Sequence, residues 1–363
     1  MQSVERKQTK LTKKHIASLI FLSFMFIILV GIYIFINNVV NTIRPPEIPP
    51  LPTFRPPTFS PSPNNSHGDD NEDDWISDVM LAAPERFTDD DRRDMFWTFL
   101  IIGLNEGTNA NTVMVASYCG VSREANMISI PRDVPVNANR RGRKLSSSYL
   151  AGAANNRGRA GGVAQVQRDV MGVIGFIPDF YVVVDYDAFF SIIDAVGGIE
   201  IYVPMRMRYD DPCQNLHIDI HPGLQMMDSQ TALHFSRFRM ANRGYQSITD
   251  FQRAENQQAV VNAVISSLLR PASLLRIPDF AAIFNESVHT NLTLGNITWF
   301  ALELNNIRGT EAMSSYTLMP VHSSGRPMYY EFLSPSNVVE IINRTVNPFY
   351  QDIELRDVSI ITQ

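Results

Sequence analysis

Five cations and one amide in this chain have the types and spacing needed to hold a chain of phosphates. Arg132 follows a mostly apolar run, Ile128 to Pro131, and is followed at once by Asp133. Proline donates no ladder hydrogen bond and presets its own φ, so Pro131 predicts that the chain leaves a sheet there. Side chains just past a strand's end stand at the rim of an open α/β sheet, where ligand groups gather. Arg140, Arg141, Arg143 and Lys144 come next, and a second cluster, Arg237, Arg239, Arg243 and Arg253, lies much later in the chain. Arg237 and Arg239 are two apart, which puts both on one side of an extended segment leaving a helix. Arg253 and Gln257 are four apart and share a helix face. Arginine's rigid fork matches phosphate oxygens and keeps its charge at any working pH. Arg132, Lys144, Arg237, Arg239 and Arg253 together suit a diphosphate. The plainer alternative pairs each of them on the surface with a nearby acid such as Asp133, Asp210, Asp211 or Asp250.

The chain that must position these groups has 363 residues and a formal net charge of −6. Cations clustered against an acidic background do not make a nucleic-acid surface. The first quarter does not read as a domain. Residues 1–15 carry Arg6, Lys7, Lys10, Lys13 and Lys14 against Glu5 alone, and no charge occurs from Ile16 to Ile43. At about 1.5 Å per residue, a helix over 16–38 spans a hydrocarbon core of roughly 30 Å. Tyr33 to Ile36 offers no small-residue cleavage site, so the segment reads as an uncleaved single-pass anchor. Its positive flank stays in the cytoplasm, which puts the bulk of the chain outside. Residues 39–84 read as a linker: a proline-dominated arm, Pro45 to Pro63, then an acidic stretch, Asn64 to Asp74, too polar to bury a core. Beyond the N-terminal tail, Lys144 is the only lysine. The two cysteines, Cys119 and Cys213, make no metal cluster; a bridge between them is permitted outside the cell, but nothing in the sequence shows that they meet.

Residues 85–363 alternate strand and helix signals. Apolar runs at 96–104, 112–118, 125–130, 180–186 and 199–203 predict strands, the second and third joined as a hairpin. Helical spacing covers 161–173, 188–196, 228–237 and 249–269, with further helices near 297–307 and 334–344 and a strand at 316–319. Gly197-Gly198 closes the second helix. The fold class is therefore α/β: one domain built on a mixed central sheet with helices on both faces.

Set in order along that frame, the segments Phe99–Asn105, Asn111–Met114, Ser129–Asp133, Lys144–Tyr149, Tyr181–Tyr186, Asp194–Ile199, Ala232–Arg239 and Asp250–Arg253 with Gln257-Gln258 resemble the LytR-CpsA-Psr family of bacterial cell-envelope phosphotransferases. The resemblance runs from about Phe96 to Leu269 and continues more weakly beyond. It implies a transferase that takes a glycopolymer from a polyprenyl-pyrophosphate carrier and joins it to peptidoglycan through a phosphodiester. An apolar cavity would hold the lipid, and arginines at its mouth the pyrophosphate together with a magnesium ion. Carried over by position, Arg132, Arg237, Arg239, Arg253 and Gln257 are the pyrophosphate ligands, Lys144 is a weaker one, and Arg132, Arg237 and Arg239 carry the catalytic role. Phosphoryl transfer depends mainly on positioning and charge stabilisation, which suits a cage of fixed cations.

The chain departs from the family at the metal. The family's two metal-binding aspartates are here Asn105 and Asn111, a motif arginine is Asn109, and a second is Asn256. Magnesium prefers carboxylate oxygens, so two amides are expected to hold it weakly if at all. Their loss also removes a general base for the acceptor hydroxyl. Two readings result: a transferase leaning on Arg and Lys, or a non-catalytic member that binds the lipid pyrophosphate or a partner and regulates or scaffolds envelope assembly. A plain exported hydrolase finds no nucleophile elbow here, and His217, His221, His234, His289 and His322 form no metal-ligand pattern.

Overall fold

The computed structural model describes residues 44–50, 86–105, 109–136, 143–154, 157–214, 216–268, 270, 277–303, 313–325 and 328–362. The chain falls into two units, Met1–Pro46 and Glu47–Gln363. Only residues 44–46 of the first are described, and the sheet and helices belong to the second. The expected cytoplasmic tail and transmembrane helix, and most of the linker, lie outside the described residues. Among those described, no helix is long and apolar enough to cross a membrane.

The strands in chain order are β1 (Phe96–Leu104), β2 (Ala110–Cys119), β3 (Glu124–Ser129), β4 (Phe180–Val184), β5 (Ile199–Val203), β6 (Met207–Asp211), β7 (Leu216–Ile220), β8 (Gly223–Met227), β9 (His289–Thr290), β10 (Met313–Thr317), β11 (Pro320–Ser324) and β12 (Tyr330–Leu333). The helices are α1 (Ser148–Ala153), α2 (Gly158–Ile174), α3 (Tyr186–Ala195), α4 (Ser229–Arg237), α5 (Asp250–Leu268), α6 (Ile277–Ser287), α7 (Leu294–Glu303) and α8 (Pro335–Thr345). Six strands form the central sheet in the order β10-β3-β2-β1-β4-β9. It is mixed: β1 runs antiparallel to β2 and parallel to β4, and β3 runs parallel to β10.

Alternate residues of the same strands meet different neighbours. Leu100, Ile102, Val113, Val115 and Ile128 are buried against Val166 and Val170 of α2 and Val338 and Ile342 of α8. Phe99, Ile101, Met114, Ala116 and Val182 face the other way, into a cavity roofed by α3 to α7. Ile101 lies opposite Met114 and beside Val182, so these positions form one continuous surface across three strands. A second core joins α3, α4 and α5 to the ribbons β5-β8 and β6-β7 through Ile193, Ile199, Met207, Ile218, Phe235, Phe238 and Val260.

Several boundaries move. Helix α3 starts at Tyr186, not at 188, because the Asp185 carboxylate caps it, accepting from the Ala188 N–H at 2.9 Å. The strand expected at 316–319 occupies Met313–Thr317, where it pairs with β3. The ribbons β6-β7 and β11-β12 and helix α6 were not expected from the sequence. Cys119 is buried and Cys213 exposed, and both are free.

Candidate pyrophosphate site

Strands β1, β3 and β4 end on the same edge of the sheet, and the polar residues gather there. Register breaks between Gly103 and Leu104, where β1 bulges against β2. A side chain at Gly103 would press its Cβ to 2.9 Å from that of Thr112, so only glycine lets the two strands approach at this point. Asn105 and Asn111 flank the turn on either side. Past β3, Pro131 ends the ladder as expected and Arg132 and Asp133 emerge. The chain returns alongside itself: Leu145 N–H donates to Val134 C=O at 3.0 Å and Ser146 N–H to Arg132 C=O at 2.9 Å. That doubling brings the Lys144 ammonium to 2.7 Å from Asp133.

Two helices supply the remaining cations. The Asp228 carboxylate caps α4 by accepting from Thr231 N–H, and the helix runs through Arg237, so Arg237 stands in its last turn and only Arg239 leaves on the segment beyond, not both as expected. Thr249 and Gln252 cap α5 reciprocally: Thr249 N–H donates to Gln252 Oε1 at 2.9 Å, and Gln252 N–H to Thr249 Oγ1 at 3.2 Å. This fixes Asp250 in the first turn, where a carboxylate complements the helix dipole. Asp250 is the hub of the cage. Its oxygens lie 2.8 Å from Arg253, 3.0 Å from Arg239 and 3.8 Å from Arg132. Arg237 sits instead over the Tyr186 ring, 5.2 Å from its centroid.

Arg132, Arg237, Arg239, Arg253, Gln257, Asn105 and Asn111 all line one cavity of about 720 Å³. Lys144 does not line it; its ammonium is paired with Asp133. Away from the cage the lining is mostly apolar, including Phe99, Ile101, Met114, Phe189, Ile265, Leu268, Phe280, Phe284, Ile297 and Phe300, with Asn126 and Asn262 among its few polar members. Tyr118 also lines it, its hydroxyl donating to Glu303 at 3.0 Å; burial, then this contact, pushes the phenol's pKa up.

The cage is crowded with like charge. Burial, then repulsion from Arg132, pulls the Arg253 guanidinium down to about 10, with Asp250 acting in the opposite direction. The buried Nε of Arg132 makes no hydrogen bond among the described residues. Four guanidinium groups, three of them around one shared carboxylate, stabilise an added anion, and a diphosphate of matching reach would relieve the repulsion that depresses Arg253.

The residues at the family's metal positions do not fit a magnesium ion. Both are neutral amides, and the Asn105 side-chain oxygen already accepts from Asn109 N–H at 2.9 Å. Among the described residues no three acidic, histidine or cysteine side chains gather to hold an ion. Asp185, the one carboxylate among the described residues that line the cavity, is engaged as the cap of α3.

Sequence reasoning found the arginines and the glutamine but not how they are held. Asp250 stood among the possible acid partners, but not as the one that Arg132, Arg239 and Arg253 share; Tyr186 beneath Arg237 and Glu331 beside Asp133 were missed. The Thr249-x-x-Gln252 capping box was the readable signal for the first, since it marks where α5 begins. For the others no local signal exists.

A mixed sheet with a largely apolar cavity behind a guanidinium cage defines a class, and similarity to known proteins gives it a family. The family described as LytR_cpsA_psr matches residues 82–345, and the chain belongs to it. It is 24% identical to "Regulatory protein MsrR" of Staphylococcus aureus (strain COL) over 234 residues, 62% of this chain and 65% of that protein. It is 27% identical over 187 residues to "Polyisoprenyl-teichoic acid--peptidoglycan teichoic acid transferase TagV" of Bacillus subtilis (strain 168), covering 51% of this chain and 45% of the relative. The chain therefore spans less than two thirds of the length of these relatives. The crystal structure of B. subtilis TagV superposes with a TM-score of 0.56 at 21% identity, over 69% of this chain and 95% of that one, which supports the fold.

Proposed function

We propose that this protein is a single-pass protein of the bacterial cell membrane, its N-terminus in the cytoplasm and its α/β domain outside. There it moves a glycopolymer from a polyprenyl-pyrophosphate carrier to peptidoglycan, forming a phosphodiester. The observation that carries the reading is the junction of an apolar cavity with Arg132, Arg237, Arg239 and Arg253 at one end. A prenyl chain suits the first part and a diphosphate the second. In this reading Arg237 and Arg239 take the transferring phosphoryl group, Arg132 offers an Nε that makes no hydrogen bond among the described residues and faces Asp133 only at 3.6 Å, and Arg253 and Gln257 hold the bridging side. Fixed guanidinium groups in a site shielded from water stabilise charge as it develops on phosphate oxygens. The cage does this without a divalent ion, since its amides make poor magnesium ligands.

The same amides favour a second reading, in which the chain binds the lipid pyrophosphate and regulates envelope assembly without turnover. One experiment separates them: calorimetry of a polyprenyl pyrophosphate with the full chain in detergent, with and without magnesium, alongside Asn105→Asp/Asn111→Asp. The transferase reading expects wild type to bind without magnesium and the double variant to gain a metal requirement, with glycan transfer by wild type in the same buffer. Binding without transfer favours the regulator. No lipid binding by either form ends both.

A further inference from the structure

The cage holds the donor but leaves open where the proton of the acceptor hydroxyl goes. Of the described carboxylates around it, Asp250 is shared by three arginines, Asp133 is held by Lys144 and Arg132, and Asp185 caps a helix. Glu331 is different. It lies on β12, and its N–H donates to Asp133 C=O at 3.1 Å, which fastens it one residue from Arg132. Among the described residues its side chain is bonded not by a cation but by a phenol, the Tyr329 hydroxyl donating to Oε1 at 3.1 Å. Glu331 is 8% exposed, whereas Tyr329 is 43% exposed, so the acid meets solvent behind an aromatic ring.

The surroundings suit a carbohydrate. The Lys144 ammonium lies 5.8 Å from the Tyr329 ring centroid and 6.0 Å from that of Tyr330, and Arg143 lies 5.8 Å from Tyr330. Two aromatic rings with cations on them, beside an acid and next to a phosphate cage, offer apolar faces for a sugar ring and hydrogen bonds for its hydroxyls.

We propose that Glu331 is the general base for the acceptor and that Tyr329, Tyr330 and Lys144 form the subsite that presents a glycan hydroxyl to it. The assignment rests on the transferase reading above. The acceptor oxygen bonds to the phosphorus that carries the glycan. The bond from that phosphorus to the bridging oxygen breaks, polyprenyl phosphate leaves with the electron pair, and the hydroxyl proton passes to the Glu331 carboxylate. Burial chiefly, then the Asp133 and Asp250 carboxylates, holds the pKa of Glu331 above the usual range, while the Tyr329 hydrogen bond and Arg132 act against this. A carboxylate tuned upward is the stronger base at neutral pH.

The test uses the full chain in detergent, a polyprenyl-pyrophosphoryl disaccharide as donor and a peptidoglycan oligosaccharide as acceptor. Glu331→Gln is expected to bind donor within threefold of wild type by calorimetry while transfer falls about 10²- to 10⁴-fold, the usual contribution of a general base. The acidic limb of the pH–rate profile should disappear with it. Tyr329→Phe removes a hydrogen bond that favours the carboxylate, so that limb should move to higher pH, and this exposed variant does not threaten folding. A Glu331→Gln enzyme that transfers at the wild-type rate with its acidic limb intact overturns the assignment and leaves the transferase standing. A wild type that binds no donor overturns both.

Discussion

The two faces of the central sheet are made by the same strands, yet one is solid and the other hollow. Toward α2 and α8, Leu100, Ile102, Val115, Ile128, Val166 and Ile342 are fully or almost fully buried in one hydrophobic cluster. Toward α3–α7, Phe99, Ile101, Met114 and Val182 border 720 Å³ of space. Stability and binding have thus been divided by side-chain parity. A substitution one residue along a strand changes which property is touched, since successive side chains point to opposite faces.

The comparison breaks most sharply at the cage. Replacing Arg239 and Arg253 by alanine removes two charge-assisted contacts worth about 1.5–3 kcal/mol each. Diphosphate affinity should fall more than a hundredfold by calorimetry, and a variant that binds as tightly as wild type would remove the cage from the site. On the solid face, Leu100→Ala should cost about 2–5 kcal/mol in urea unfolding, because the lost side chain leaves a void that its neighbours do not fill. Lipid affinity of the folded protein should stay unchanged. On the hollow face, Ile101→Trp should alter stability by less than about 1.5 kcal/mol, since the added rings enter existing space. Prenyl binding should nevertheless be lost, with inorganic diphosphate still bound. A large stability loss there would mean that the hollow face is packed after all.

The smallest effect expected is one of pH. Burial first, then Arg237, holds the His234 pKa below its ordinary value. The unfolded chain then binds the proton more readily than the folded one as pH falls below about 6.5. Stability should decline on acidification through that range, and His234→Gln should flatten the decline in a melting series.

What was legible in the sequence was local. Pro131 marked the strand's end, the four-residue step from Arg253 to Gln257 set their face, and apolar runs gave β1 to β5; the two-residue step from Arg237 to Arg239 misled, because Arg237 closes α4. What was not legible depended on distant partners. Both faces of β1 are apolar, so nothing in Phe96–Leu104 says which one is left open. Asp250 meets Arg132 only after β3 and α5 are packed into one molecule, and Glu331 reaches Asp133 through a ribbon whose strand β11, Pro-Val-His-Ser-Ser, carries a weak strand signal. Lys144 drew notice as the lone lysine of its region, but its carboxylate partner, eleven residues away, is found only when the loop doubles back.

Asp250 has one more consequence. It is not among the residues that line the cavity, yet it already gives Arg132, Arg239 and Arg253 the negative charge that an arriving anion would bring. The site is therefore self-competing, like a lock stored with a blank key inside. A single phosphate or other small anion gains little by displacing an internal carboxylate that already touches three arginines. A ligand must add something that Asp250 does not offer, either a second phosphate or a tail for the hollow beyond. On the proposed function, selection of a lipid-borne diphosphate over free anions would reside less in the arginines than in the acid that keeps them occupied.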